Sequence, residues 1–300
     1  MADARVGPGM GGRVPIAVVI LTFNEARNIA ACLAAVVEWA AEVFVVDSGS
    51  DDQTVALATA AGATVVTHAF ETHANQWAWA LAHLPLTTAW VLGIDADQQV
   101  SADLRDAIRQ AFAGDGPAAD VCGFYVTRRQ VFRGRWIRHG GYYPKFLLKL
   151  FRRDAVSVDG RELVDHHFHV TGTVAALRGD LIEQNRNEDA IAVWIDKHNR
   201  YARLQARQEL AERADPDRAD GRLFGHADER VRWLKARWRG LPLYVRPCLY
   251  FGYRYIVRAG FLDGREGFVF HVLQAFWYRL LVDINISELQ QDRAQRAGHS

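Results

Sequence analysis

The sequence predicts an α/β protein with a mostly parallel mixed sheet flanked by helices, followed by a helical C-terminal extension rich in aromatic and basic residues. Three observations carry that prediction. Apolar, β-branched runs alternate with helical patterns from residue 14 to residue 110. Three of those runs end in polar segments: Thr22-Phe23-Asn24-Glu25, Asp47-Ser48-Gly49-Ser50-Asp51-Asp52 and Asp95-Ala96-Asp97. Beyond residue 230 the pattern changes to aromatic side chains interleaved with arginines.

Composition narrows the class. In 300 residues, a hydrophobic content of 50% supports one large domain or two small ones, which excludes a wholly disordered chain and a small disulfide scaffold. Lys plus Arg number 36 against 35 Asp plus Glu, a net charge of +1, so nothing points to a nucleic-acid partner. Cys32, Cys122 and Cys248 are odd in number and far apart, unlike a disulfide framework or a zinc site, and a reducing compartment is expected. Residues 1–13 lack the apolar segment of a secretory signal, and no stretch reaches the ~18 uncharged apolar residues of a spanning helix.

In chain order, Ile16–Leu21 (IAVVIL) is continuously apolar, as in a parallel strand covered on both faces. Ile29, Leu33, Val36 and Val37 then mark one face of a helix over residues 26–39, with Asn24 as its cap. A strand at Val43–Val46, a helix over 53–61 and a strand at Ala63–Thr67 follow, then a helix over 74–83 and a buried strand, Trp90–Ile94. This alternation implies right-handed parallel connections. A helix over 102–113 precedes alternating runs at Gly123–Val131, Phe146–Phe151 and Asp165–Val170, which make the sheet mixed. Residues 186–213 read as a long helix, and the charged, Pro- and Gly-bearing stretch 214–229 reads as a boundary loop.

In an open parallel sheet, ligands bind at the carboxyl ends of the strands, where the three polar segments fall. By itself a D-x-D is weak evidence: 23 Asp in 300 residues predict about two by chance (300 × (23/300)²), and two occur, Asp95/Asp97 and Asp215/Asp217. Context separates them, because the first pair follows a buried strand, where neighbouring carboxylates repel unless a cation joins them. A hard Mg²⁺ or Mn²⁺ beside a nucleoside diphosphate fits that chemistry. There is no G-x-G-x-x-G after the first strand and no Walker lysine, which argues against a dinucleotide dehydrogenase and a P-loop NTPase. Asp51 and Asp52 read as helix caps rather than ligands.

The series VVILTFNEARNI, VVDSGSDDQT and VLGIDADQQV resembles the nucleotide-binding half of family-2 glycosyltransferases, whose GT-A fold is Rossmann-like. GGYYPKFLLKLFRR and RPCLYFGYRYIVRAGFLDGREGFVFH extend the resemblance to bacterial enzymes that glycosylate lipopolysaccharide core or other lipid-linked glycans. It implies a GT-A domain over 14–213, with a nucleotide half (14–110) and an acceptor half (111–213), while the aromatic and basic residues over 230–290 read as a membrane-associating region. It also implies an inverting transfer from a UDP-sugar, with Phe23 against the uracil, Asp47 on uracil or ribose, Asp97 on the metal assisted by Asp95, and Glu25 in the donor pocket. Gln98 stands where many relatives carry a further acid, and Asn75-Gln76-Trp77 where they carry a basic residue.

Inversion needs a general base, and the cluster from Arg161 to His169 supplies three candidates, Glu162, Asp165 and His166. Relatives tend to show V-H-E where this chain reads V-D-H-H, so the choice stays open; a transition-metal site at Asp165, His167 and His169 is the competing reading. Arg152 and Arg153 are candidates for the diphosphate, and Gly140-Gly141-Tyr142-Tyr143-Pro144 for a loop that closes on a sugar.

Between Trp233 and Leu281 lie thirteen aromatic residues interleaved with Lys235 and seven arginines, among them Arg246, Arg258, Arg265 and Arg279. Rings with basic neighbours characterise an interfacial, non-spanning membrane helix on anionic lipid, here with Trp277 and Tyr278 among the inserting rings. The expected location is the cytoplasmic face of a bacterial inner membrane, held peripherally. A sugar-1-phosphate nucleotidyltransferase and a non-catalytic nucleotide-binding membrane scaffold are the rival functions; the first would need a Gly-rich basic loop after the first strand, which TFNE is not.

Overall fold

The structure, a computed structural model, describes residues 12–158, 167–213, 237–238 and 240–297. Among these, the chain forms two compact units, one of residues 12–129, 145–158 and 167–186, the other of 130–144, 187–213, 237–238 and 240–297.

The first unit is built on the predicted mixed sheet. Its strands run β3 (Thr64–Thr67), β2 (Ala40–Asp47), β1 (Val14–Thr22), β4 (Trp90–Asp95), β8 (Phe146–Arg152), β6 (Val121–Phe132), β11 (Thr173–Glu183) and β5 (Gln98–Val100). The four from β3 to β4 are parallel, whereas β8 pairs antiparallel with both β4 and β6. The short strand β7 (Arg135–Trp136) pairs antiparallel with the end of β6, and two further short strands, β9 (Val156–Val158) and β10 (Phe168–Val170), form a separate antiparallel pair.

The continuous apolar run of β1 is explained by its two faces. Ile16, Val18 and Ile20 join a core with Ile29, Cys32 and Leu33 of α1 (Ile29–Ala34) and with Leu104 and Ile108 of α4 (Ala102–Ala111). Ala17, Val19 and Leu21 join a second core with Trp77 and Ala80 of α3 (His73–His83). On β4, a Cβ at Gly93 would lie 3.0 Å from both Trp77 and Phe168, so the missing side chain admits those rings.

Helix α1 is shorter than the apolar spacing predicts and is capped at Asn28, not Asn24. The Trp39 indole takes the Ala35 carbonyl at 2.6 Å, the partner a continued helix would give to the Trp39 amide, and that amide turns to Val36 O at 3.2 Å. Helix α2 (Thr54–Ala60) follows β2. Thr72 and Ser101 cap α3 and α4, each accepting from the amide three residues on.

In the second unit, α5 (Ile191–Arg213) presents Ala202, Ala206 and Leu210 to Tyr278, Val282 and Ile286 of α8 (Tyr278–Ala297), two i, i+4, i+8 ridges. Arg246, on α6 (Val245–Gly252), is buried and lies between Glu209 at 3.2 Å and Asp283, while Arg279 reaches Glu209 at 3.3 Å. Removing one partner of such a buried set costs about 3–5 kcal/mol, because a charge is left uncompensated. These contacts correct part of the surface reading. Arg246 and Tyr278 are buried and Trp277 is partly so, since Tyr278, Val282 and Ile286, spaced four residues apart along α8, face α5 rather than solvent.

Helix α7 (Gly264–His271) ends in a histidine that is fully enclosed, with neither ring nitrogen hydrogen-bonded among the described residues. A Cβ at Gly140, whose φ is +68, would fall 2.0 Å from its Cε1, so only glycine fits there. Burial drives the His271 ring from its ordinary 6.5 down to about 4, with Asp263 opposing and Arg254 reinforcing. The unfolded chain therefore takes up a proton below about 6.5 that the native state declines until about 4. The His271 contribution is full above pH 6.5 and declines as the pH falls toward 4, by at most about 1.4 kcal/mol per pH unit. Urea unfolding at pH 7, 6 and 5 should show that decline, and His271→Leu should flatten it; an identical slope in the variant would contradict the assignment.

Candidate active site

Parallel register brings the polar segments to one edge of the sheet. Thr22 lies opposite Asp47, and Leu21 opposite Asp95. Asp47 is 1% exposed, and its carboxylate accepts from Thr22 Oγ1 (3.0 Å), Ser50 Oγ (2.6 Å), Gly49 N (2.9 Å) and Ser50 N (2.8 Å). Four donors use the acceptor capacity of one carboxylate, so this Asp47 organises the turn that follows β2.

That turn is stitched to the loop after β1. Asn24 N donates to Ser50 Oγ (2.8 Å), Asp51 N to Asn24 Oδ1 (3.0 Å), Glu25 N to Thr54 Oγ1 (2.7 Å) and Ala26 N to Asp52 Oδ2 (3.1 Å). Asp52 also accepts from Thr54 N at 2.8 Å and from the Thr54 hydroxyl, but the cap position of α2 is Gln53, not Asp51 or Asp52 as expected: Asp52 holds the turn one residue before it. Asn24 is left with a φ of +55, and Phe23 projects 58% exposed from the end of β1. A ring in that position offers a face on which a planar group can stack.

Asp95 and Asp97 flank the turn between β4 and β5, which is held from two sides. Gln98 is buried, accepts from Asp95 N at 3.2 Å and donates to Glu183 at 2.9 Å. Gln184 N donates to Asp97 O at 3.0 Å. Asn28 clasps the neighbouring loops, donating to Glu25 (2.6 Å) and Asn185 (3.0 Å) and accepting from Arg186 N (2.9 Å). Beneath them Cys32, fully buried, has its thiol pushed well above its ordinary value by burial and then by Asp97, Asp95 and Glu25. One thiol thus senses three carboxylates. Among the described residues no group of three or more His, Cys, Asp and Glu has metal-binding geometry; the pair Asp95 and Asp97 offers hard oxygen donors at an accessible edge, a set that fits Mg²⁺ or Mn²⁺ with further positions filled by substrate oxygens. Lys149 Nζ lies 3.1 Å from Asp95 Oδ2.

The structure therefore brings together Phe23, Glu25, Asp47, Asp95 and Asp97 at one edge. Arg152 is not among them. It pairs with Asp154 at 2.7 Å and lies opposite Trp90, at the far end of β4 from Asp95, about 16 Å along the strand. Arg153 donates to Leu86 O at 2.8 Å. Glu162, Asp165 and His166 lie outside the described residues, as do the 214–229 stretch and Trp233. Sequence reasoning missed Lys149, Asn28, Cys32 and the segment 184–186; the signal for Lys149 was a charge inside the apolar run FLLKLF.

The profile of glycosyl transferase family 2 matches residues 17–186, and the chain belongs to that family. It is 27% identical over 209 residues to the lipopolysaccharide core biosynthesis glycosyltransferase LpsC of Rhizobium meliloti, covering 66% of this chain and 73% of that one. An uncharacterized glycosyltransferase of Rickettsia felis is 39% identical over 98 residues, 33% of this chain, and the match spans 34% of that protein's length. Among solved structures, glucosyl-3-phosphoglycerate synthase from Mycobacterium tuberculosis, determined with Mn²⁺, UDP and glucosyl-3-phosphoglycerate, aligns at a TM-score of 0.31 and 23% identity over 44% of this chain and 51% of that one.

The environment of Cys32 has a direct consequence, because a thiol reacts as the thiolate. In the native protein at pH 8, an aromatic disulfide reagent should label the exposed Cys248 and leave the buried Cys32 untouched until denaturant is added. Labelling of Cys32 at the rate of Cys248 would show that the acidic cluster does not close over it.

Proposed function

We propose that this chain transfers a sugar, with inversion, from a UDP-sugar to a membrane-held saccharide acceptor of the lipopolysaccharide or lipid-linked class. The observation that carries the reading is the convergence of Asp95, Asp97 and Glu25 beside the exposed Phe23 at the carboxyl edge of the parallel strands. Phe23 stacks on the uracil. Asp47 acts through the turn it holds, whose loops frame the base and ribose. Asp97, with Asp95, would hold Mg²⁺ or Mn²⁺, which when bound would supply positive charge for the departing diphosphate.

The acceptor hydroxyl attacks the anomeric carbon from the face opposite UDP; a bond forms from that oxygen to the carbon, and the bond to the diphosphate oxygen breaks with its electron pair. The hydroxyl proton passes to one of Glu162, Asp165 and His166. The similarity to LpsC, 27% identical over 209 residues, supports the lipopolysaccharide class of acceptor. Asp97→Ala should abolish transfer and the Mn²⁺-dependent part of UDP affinity, while Asp165→Asn or His166→Ala should lower turnover about a hundredfold or more with UDP affinity kept. Unchanged Mn²⁺-dependent UDP binding in folded Asp97→Ala would contradict the donor site, and UDP binding with no turnover on any lipid extract would favour the scaffold.

The acceptor's location is supported by the second unit. Leu249, Tyr253, Ile256 and Val257 follow an i, i+4, i+7, i+8 pattern and are all exposed, Ile256 by 66% and Val257 by 72%, and Phe261 and Leu262 extend the patch. Arg258 and Arg265 are exposed beside it, whereas Asp263 is buried against His139 at 2.7 Å. No helix among the described residues is long and apolar enough to cross a membrane. An apolar patch rimmed by arginines fits an anionic lipid surface, so the protein should sediment with anionic vesicles and be released only partly by high salt. Ile256→Ser with Val257→Ser should weaken that binding more than Arg265→Ala, since each buried branched side chain contributes about 1.5–3 kcal/mol against about 1 kcal/mol per basic residue. Protein that stays in the supernatant at low salt would contradict membrane attachment.

A further inference from the structure

Lys149 is the least expected charge in the first unit. It sits in the middle of the apolar strand β8, is 5% exposed, and points its ammonium at Asp95 Oδ2 from 3.1 Å. Burying an ammonium is costly, and a lysine kept in such a place needs a compensating partner.

The backbone is shaped to put it there. Along β6 and β8, Phe124 pairs with Leu150 but Tyr125 pairs with Leu148, so Lys149 is the extra residue of a β-bulge. A bulge leaves one residue out of the ladder and re-aims its side chain, and bulges recur beside active sites for that reason. The ammonium also lies 5.9 Å from the centre of the Phe168 ring, which packs into the space left open by Gly93, two residues before Asp95. A bulge, a ring and a missing side chain thus converge on a single cation at the acidic edge.

We propose that Lys149 is a positioning residue that serves as the built-in counter-cation of Asp95, competing with the divalent ion for that carboxylate and drawing the donor diphosphate to the edge. This rests on the donor reading above. Two consequences follow from charge alone. With Lys149 in place, a divalent ion by itself binds weakly, because Asp95 already has a cation. A diphosphate, in turn, finds one positive charge beside the two carboxylates even before any metal arrives. Lysine suits this role, since its compact charge sits on a flexible stem and can follow a carboxylate or a phosphate oxygen.

The test is titration of the full chain with Mn²⁺ alone, read by the electron paramagnetic resonance of the free ion, and with UDP in EDTA, read by calorimetry. In Lys149→Met, Mn²⁺ should bind about tenfold tighter or more, the size of effect one adjacent charge has on a carboxylate, and metal-free UDP should bind more weakly. Lys149→Arg, which keeps the charge, should leave Mn²⁺ affinity near that of the wild type. Asp95 is partly solvent-exposed and can be hydrated when the lysine is gone, so the methionine variant is expected to fold, checked by circular dichroism. A purely structural lysine would weaken both ligands together in Lys149→Met, and that result, or unchanged Mn²⁺ affinity, overturns the proposal while Mn²⁺-dependent UDP binding by the wild type upholds the donor site. Wild-type protein that binds Mn²⁺ neither alone nor with UDP overturns both.

Discussion

The parallel register of β1 with β2 and β4 is the constraint on which the rest of the first unit depends. Because Thr22 falls opposite Asp47 and Leu21 opposite Asp95, three strands stop at one edge and their following loops are forced into contact. A slip of one residue would exchange the two faces of β1, sending Ile16, Val18 and Ile20 toward Trp77 and separating Asn24 from Ser50. Core burial and site assembly are thus fixed by the same alignment, and the site cannot drift without exposing the core.

Gathering acids at that edge has an electrostatic cost, which the surroundings offset with specific partners. Asp47 is satisfied by four donors, Glu25 by Asn28, Glu183 by Gln98 and Arg128, and Asp95 by Lys149. Beneath the edge the Cys32 thiol is raised by burial first and then by Asp97, Asp95 and Glu25. On the donor reading proposed above, such an edge would take a divalent ion together with the diphosphate that brings it.

Much of this was legible in the sequence, for identifiable reasons. A strand buried on both faces shows as an unbroken β-branched run, and its end shows as the first polar residue, so the strand ends at Asp47 and at Asp95, next to Ile94, could be located. Strand β11 was invisible, because Arg178, Gly179 and Asp180 interrupt its pattern; Asp180 is in fact buried, paired with Arg129 at 2.6 Å and bonded to Thr127. The tertiary partner, absent from local sequence, decides such a position. Lys149 was hidden in the same way, as one polar letter in an apolar word. In the second unit, composition could not say which way each side chain faces: Tyr278 and Val257 both stand beside arginines, yet one packs on α5 and the other is exposed. Helical spacing would have separated them. Arg152 was misplaced because adjacency to an apolar strand does not reveal which end of the neighbouring strand it meets.

The central claim is that the acidic edge is a donor site, and it is tested most directly by a crystal structure of the protein with UDP and Mn²⁺. The account predicts the uracil stacked on Phe23 and the metal joining the diphosphate to Asp97. UDP seated away from the ends of β1, β2 and β4, or a metal bound without Asp97, would contradict it.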